Sequence, residues 1–134
     1  VTVKGPEKLK GGVFDRNAIP DTLPALSVAA AFAEGDTILG NVEQARIKET
    51  DRIKVMRENL NELGVEAEEK RDALIIHGNG SVKGGKAKGY GDHRVIMALA
   101  ILGTRTEEKT EIDDVSAASV TFPTFFDLLE KLEK

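Results

Sequence analysis

The stretch Arg46–Ile53, RIKETDRI, packs four charges of both signs into Lys48–Arg52, where a helical pattern begins. If the helix starts near Glu49 or Thr50, Lys48 and Arg52 are four residues apart, on one side of its first turn. Like charges at that spacing repel, and cations sit poorly at the positive end of a helix macrodipole. Glu49 and Asp51 relieve part of this. Two readings stand. One is a solvated helix start capped by Thr50. The other is an anion site, in which free N–H groups, Lys48 and Arg52 face a phosphate or carboxylate that relieves the repulsion on binding.

A second constellation, Gly89–Arg94 (GYGDHR), repeats the theme. Asp92 is a natural N-cap, and Arg94 is again a cation in a first turn, beside His93 and a Gly-rich loop. A third is Asn17–Asp21 (NAIPD), with Asp21 just ahead of another helical pattern. Asp21 reads either as a simple cap or as a carboxylate at the edge of an anion pocket, placed to take a proton from a bound hydroxyl. No metal centre is expected: His77 and His93 lack a partner pattern, and cysteine is absent. Neither a G-x-x-x-x-G-K-[ST] loop nor a G-x-S-x-G turn occurs. Lys83, Lys86 and Lys88 read as a solvated loop, without the aromatics that would suggest nucleic acid.

The elements that must position these groups follow from periodicity and breakers. Residues 12–15 read as a strand. A helix follows Asp21, with Pro24 in its first turn and Gly35 as its stop. Residues 36–41 form a strand. Ile53, Met56, Leu60 and Leu63 give the next helix its apolar stripe up to Gly64. Residues 65–78 read as a hairpin about Arg71 and Asp72, with one further strand expected near 82–88. A helix capped by Asp92, a strand in KTEIDD and a closing helix in TFPTFFDLLEKLEK complete the chain. Shifted by 73 positions, the sequence lies on itself without a gap from Asp21 to Val55: Asp21 falls on Arg94, Leu26 on Leu99, Thr37 on Thr110, Val42 on Val115 and Ile53 on Phe126. The expectation is an α/β (α+β) fold of two βαβαββ units, residues 12–78 and 79–134, the second without its last two strands. Equivalent helix starts in a repeat face one way, which would gather Asp21, Lys48, Arg52 and Arg94 around one pocket.

At 134 residues with 40% apolar content, the chain suits one domain. The net charge of −4 argues against a general nucleic-acid surface, and no apolar run is long enough for a membrane span. No apolar secretory core is visible in VTVKGPEKLKGG, so a cytoplasmic location is expected. The start at Val1 suggests a piece of something longer.

In this order and spacing, IPDTLPALSVAAAFAEG, RIKETDRI, GDHRVIMALA and TFPTFFDLLEKL resemble the C-terminal part of the 5-enolpyruvylshikimate-3-phosphate synthase family, from about Gly12 to the end. The resemblance implies two domains, each of three βαβαββ units with helix N-termini aimed at the cleft between them. This chain would be part of the C-terminal domain, with the N-terminal domain as its missing partner. The implied reaction moves the enolpyruvyl group of phosphoenolpyruvate to the 5-hydroxyl of shikimate 3-phosphate, with phosphate leaving and no metal or other cofactor needed. It belongs to aromatic amino acid biosynthesis.

Carried over by position, the resemblance makes Asp21 the acid/base group for the 5-hydroxyl proton. Lys48 would contact the substrate hydroxyl and phosphoenolpyruvate, and Glu49 would assist proton transfer at the enol carbon. Arg52 and Arg94 would hold the phosphoenolpyruvate carboxylate and phosphate, and Gln44 stands where many members have an Asn near the shikimate phosphate. Asp92 and His93 would orient Arg94. One departure is Val120, where many members have Lys ahead of TFP. The isolated chain is expected to be inactive. The rival expectations are a non-catalytic anion- or partner-binding domain of the same fold, and an RNA 3′-terminal phosphate cyclase-like protein, which the acidic charge opposes.

Overall fold

Alternation of apolar and polar residues through 65–70, followed by the apolar run 73–76, produces the hairpin that anchors the fold. In the computed structural model, which describes residues 1–133, strand β3 (Glu66–Lys70) pairs antiparallel with β4 (Ala73–Asn79). Strand β2 (Glu34–Gly40) pairs antiparallel with the other edge of β4, and β1 (Val13–Asp15) runs parallel to β2. The sheet order is therefore β1-β2-β4-β3. Leu39, Ala67, Leu74 and Ile76 are buried on the inner face, whereas Asp36, Glu66 and Glu68 point to solvent. That is the pattern of a sheet packed on one side only.

Helices α1 (Leu23–Ala31) and α2 (Arg52–Glu62) cover the inner face, α1 against β2 and β4, and α2 against β3. Helix α3 (His93–Gly103) packs on α1 and on the second, two-stranded sheet, formed by β5 (Gly85–Ala87) running parallel to β6 (Thr110–Ile112). Helices α4 (Ser116–Thr121) and α5 (Phe125–Leu132) follow. Leu23, Leu39, Ile53, Met56, Leu60, Leu74, Leu99 and Leu102 belong to one continuous core between these layers.

The 73-residue register recurs in the elements. Shifted by that amount, β1 and α1 fall on β5 and α3, the end of β2 falls on β6, and α2 falls on α5. The 3-10 turn Glu43–Ile47 falls on α4. Both copies open with a parallel strand pair joined through a helix.

Four local expectations are corrected. Asp21 does not cap α1: it lies in a 3-10 turn, Pro20–Thr22, that Pro20 initiates, and its carboxylate bonds no N–H of the helix start. Gly35 does not stop α1, which ends at Ala31; it sits within β2 at φ +91°, a conformation glycine adopts without strain. Thr50 does not cap α2: Asp51 does, accepting from the Lys54 N–H. The closing helix is broken at Pro123, which removes a backbone donor and separates α4 from α5.

Candidate functional site

The starts of α1, α2 and α3 lie together, and the charges read from the sequence meet there. Arg52, in the first turn of α2, is 1% exposed, although it is among the longest side chains in the protein. A buried guanidinium must spend its N–H groups on acceptors. Its Nε donates to Asp92 Oδ2 at 2.8 Å, and one terminal nitrogen donates to Asp92 Oδ1 at 3.1 Å and to Glu49 Oε2 at 2.7 Å. The other terminal nitrogen donates to Asp21 Oδ1 at 3.0 Å. Of the five N–H groups of a guanidinium, these bonds leave one for a ligand.

Asp92 is the hub of this cluster. It is fully buried and caps α3, accepting from the Arg94 N–H at 3.0 Å. It also accepts from the Thr50 hydroxyl at 2.8 Å. Burial alone would raise its carboxyl pKa; the bonds from Arg52 and Thr50 outweigh burial and hold it below the ordinary carboxylate range. Burial likewise pulls the Arg52 pKa down, and the bonded Asp92, with Glu49 and Asp21 beside it, more than reverses that. Both groups therefore stay ionised, as a buried pair must.

Two further cations are less committed. Lys48, in extended backbone just ahead of α2, places Nζ 3.5 Å from Asp21 Oδ1. Arg94 places a terminal nitrogen 3.8 Å from Asp21 Oδ2 and is otherwise exposed. One carboxylate thus faces three cations, Lys48, Arg52 and Arg94, drawn from the starts of two helices. An open cavity of about 400 Å³ adjoins it, with Asp21 and Arg94 on its wall and Pro24, Val28, Met97 and Ile101 lining the rest. The apolar lining lowers the local dielectric on that side and strengthens the ion pairs.

The structure brings together Asp21, Lys48, Glu49, Arg52, Asp92 and Arg94. Gln44 lies nearby, in the 3-10 turn that packs on Pro20–Thr22, and its side-chain amide donates to the Asn17 carbonyl at 2.8 Å. His93 is half-buried in the first turn of α3, and no bond of its ring to the cluster is found among the described residues. Asp92 meets Arg94 only through the backbone N–H; the side chain it orients is that of Arg52. Thr50 joins the cluster although the sequence marks it only as a cap candidate. Its signal was the adjacent Asp51: once that residue takes the cap, the Thr50 hydroxyl is free to reach elsewhere.

In this cluster the fixed cation is locked by carboxylates, while Lys48 and Arg94 can turn to an incoming anion with Asp21 at hand as a proton acceptor. No group of histidines and acids suited to a metal occurs among the described residues.

Comparison with known proteins identifies the family and its fold. The family model described as EPSP synthase (3-phosphoshikimate 1-carboxyvinyltransferase) matches residues 1–129. A 3-phosphoshikimate 1-carboxyvinyltransferase of Acetivibrio thermocellus is 53% identical over 131 residues, covering 98% of this chain and 30% of that protein. One of the same name from Thermotoga sp. strain RQ2 is 42% identical, covering 98% of this chain and 32% of that protein. A solved EPSP synthase from Acinetobacter baumannii superimposes with a TM-score of 0.87 at 34% identity, over 92% of this chain and 30% of that one. The chain thus spans about 30% of the length of such relatives. The match over nearly the whole chain and the shared fold place this protein in the EPSP synthase family.

Proposed function

We propose that this chain is part of the C-terminal domain of a two-domain enzyme that transfers the enolpyruvyl group of phosphoenolpyruvate to the 5-hydroxyl of shikimate 3-phosphate, releasing phosphate. The observation that carries the reading is the convergence of Lys48, Arg52 and Arg94 on the single carboxylate of Asp21. Two anionic substrates need cations, and a hydroxyl nucleophile needs a base; the cluster offers both within one hydrogen-bonded group.

In this reading Asp21 accepts the proton of the attacking 5-hydroxyl. Arg94 and Lys48 swing from Asp21 to the carboxylate and phosphate of phosphoenolpyruvate. Arg52, locked by Asp92 and Glu49, offers its remaining N–H as a fixed donor. Glu49, at the rim and bonded to Arg52, serves proton transfer at the enol carbon. Gln44 faces the shikimate phosphate, and Asp92 and His93 order the start of α3. The three cations are matched by three carboxylates, Asp21, Glu49 and Asp92. This half of the site is therefore close to neutral, and an N-terminal domain must supply further positive charge and exclude water on closure. That requirement supports an inactive isolated chain. The resemblance also supports a cytoplasmic enzyme; no described helix is long and apolar enough to cross a membrane.

The test is a chimera in which this chain replaces the corresponding 30% of the Acetivibrio thermocellus relative. Phosphate release that needs both phosphoenolpyruvate and shikimate 3-phosphate is expected, and Asp21→Asn should lower kcat by about a hundredfold or more. A soluble chimera that binds both compounds but does not turn over would favour a non-catalytic anion-binding domain instead. Val120, in place of a family Lys, bears instead on the affinity for phosphoenolpyruvate, since it removes one cation that would meet that substrate.

A further inference from the structure

Asn59 is an improbable residue in its place. It lies within α2, where asparagine is a poor helix former, and it is only 3% exposed. Such a side chain persists where its polar atoms are bonded. Its Nδ2 donates to the Lys88 carbonyl at 2.9 Å and to the Val55 carbonyl at 3.1 Å, and its Oδ1 accepts from the Lys88 N–H at 2.8 Å. Both backbone groups of Lys88 are thus held by one amide, as a neighbouring strand would hold them.

Lys88 follows β5 directly and opens the segment that leads to Asp92 and Arg94. That segment is bent through two left-handed residues, Tyr90 at φ +54° and Gly91 at φ +68°. For tyrosine the conformation is costly and persists only if its surroundings impose it. The Tyr90 hydroxyl donates to Glu58, the residue before Asn59, at 3.0 Å. Helix α2 therefore grips the segment at three levels: Arg52 on Asp92, Glu58 on Tyr90 and Asn59 on Lys88. With most of its N–H groups already committed, Arg52 has no slack to follow Asp92 if the segment moves.

We infer that Asn59 is a positioning residue: by fixing Lys88 it sets where Asp92 and Arg94 stand relative to Arg52, and so sets the affinity of the site for its anionic substrate. The affinity part rests on the proposed function; the positioning part does not. The same helix supplies its own control. Asn61 makes the same two-point clamp, Oδ1 from the Ala67 N–H at 2.8 Å and Nδ2 to the Ala67 carbonyl at 3.2 Å, but on β3, away from the site.

The experiment compares Asn59→Leu with Asn61→Leu, both of which favour the helix and lose a clamp. In the chain itself, amide and guanidinium NMR should show Asn59→Leu moving the Asp92 and Arg94 N–H and the Arg52 Nε–H resonances, with Asn61→Leu leaving them in place. In the chimera, well below either melting temperature, Asn59→Leu should raise KM for phosphoenolpyruvate about tenfold more than Asn61→Leu does, for a displacement of about an ångström. Unmoved Arg52 and Asp92 resonances in Asn59→Leu, or shifts matched by Asn61→Leu, would overturn the positioning role. If the unsubstituted chimera is inert, the proposed function falls while the resonances still decide this inference.

Discussion

The two copies of the repeat share element lengths and register but not burial. In the first, α2 lies under the β3–β4 hairpin, with Ile53, Met56 and Leu60 fully buried. In the second, α5 occupies the equivalent place, yet Phe126 and Leu128, on the positions of Ile53 and Val55, remain 38% and 43% exposed. The difference is the hairpin: the described residues hold none beside β6. An amphipathic helix draws most of its stability from the surface it covers rather than from its own propensity, so one pattern gives a core element in one copy and an open one in the other. The copies also divide the chemistry. The position of Arg52, buried and ion-paired, is Phe125 in the second copy, while Asp21 and Arg94 are equivalents of opposite charge that meet across the repeat.

The sharpest test of this contrast is Arg52→Leu against Phe125→Leu. Removing Arg52 strands the buried Asp92 carboxylate and should cost about 3–5 kcal/mol in urea denaturation; the change at Phe125 should cost less than about 1 kcal/mol. Similar losses at the two positions would break the comparison. Next in size, Ile53→Ala should cost about 2–4 kcal/mol through the cavity it leaves, and Phe126→Ala only about 1 kcal/mol or less. In the chimera, where the remaining sequence is present, the cost of Phe126→Ala should rise towards that of Ile53→Ala. An unchanged cost there would mean that nothing covers α5.

The smallest effect lies on the solvent face of the first sheet. His77 sits opposite Asp36 and Glu66 in the strand register, with Nδ1 2.6 Å from Asp36 and Nε2 2.7 Å from Glu68. The bonds to Glu68 and Asp36 push its pKa from 6.5 up to about 9. A raised histidine pKa stabilises the fold fully below the unfolded value, and that contribution fades as pH rises through about 9. His77→Gln should therefore lower Tm at pH 6 and have a much smaller effect at pH 10, with an energy below about 1 kcal/mol for so exposed a cluster. A pH-independent difference would contradict the ion pairing.

Much of the fold was legible because apolar spacing carries it. Ile53, Met56 and Leu60 marked α2, and the 73-residue register matched the helix, strand and helix of one copy to those of the other. Part of what was not legible depended on contacts distant in sequence. Thr50 and Asp51 are both good caps, and nothing local separates them; Asp92, more than forty residues on, takes the Thr50 hydroxyl and leaves the cap to Asp51. Asp21 looked like a cap because it precedes an apolar run, but Pro20 starts a tighter turn there. Helix α4 is too short to show periodicity. The site was legible as cations at the wrong ends of helices, an arrangement that local energetics alone disfavours. Their partners were not: the pairing of Arg52 with Asp92, and the clamp of Asn59 on Lys88, exist only once the two copies pack.

The central claim is that Arg94 and Lys48 leave Asp21 for a bound anion. Titrating phosphoenolpyruvate alone into the chimera and its Arg94→Met variant by calorimetry tests it directly. The account predicts a loss of affinity of about tenfold or more, the scale of one charge-assisted contact. Equal affinity in the two proteins would contradict it.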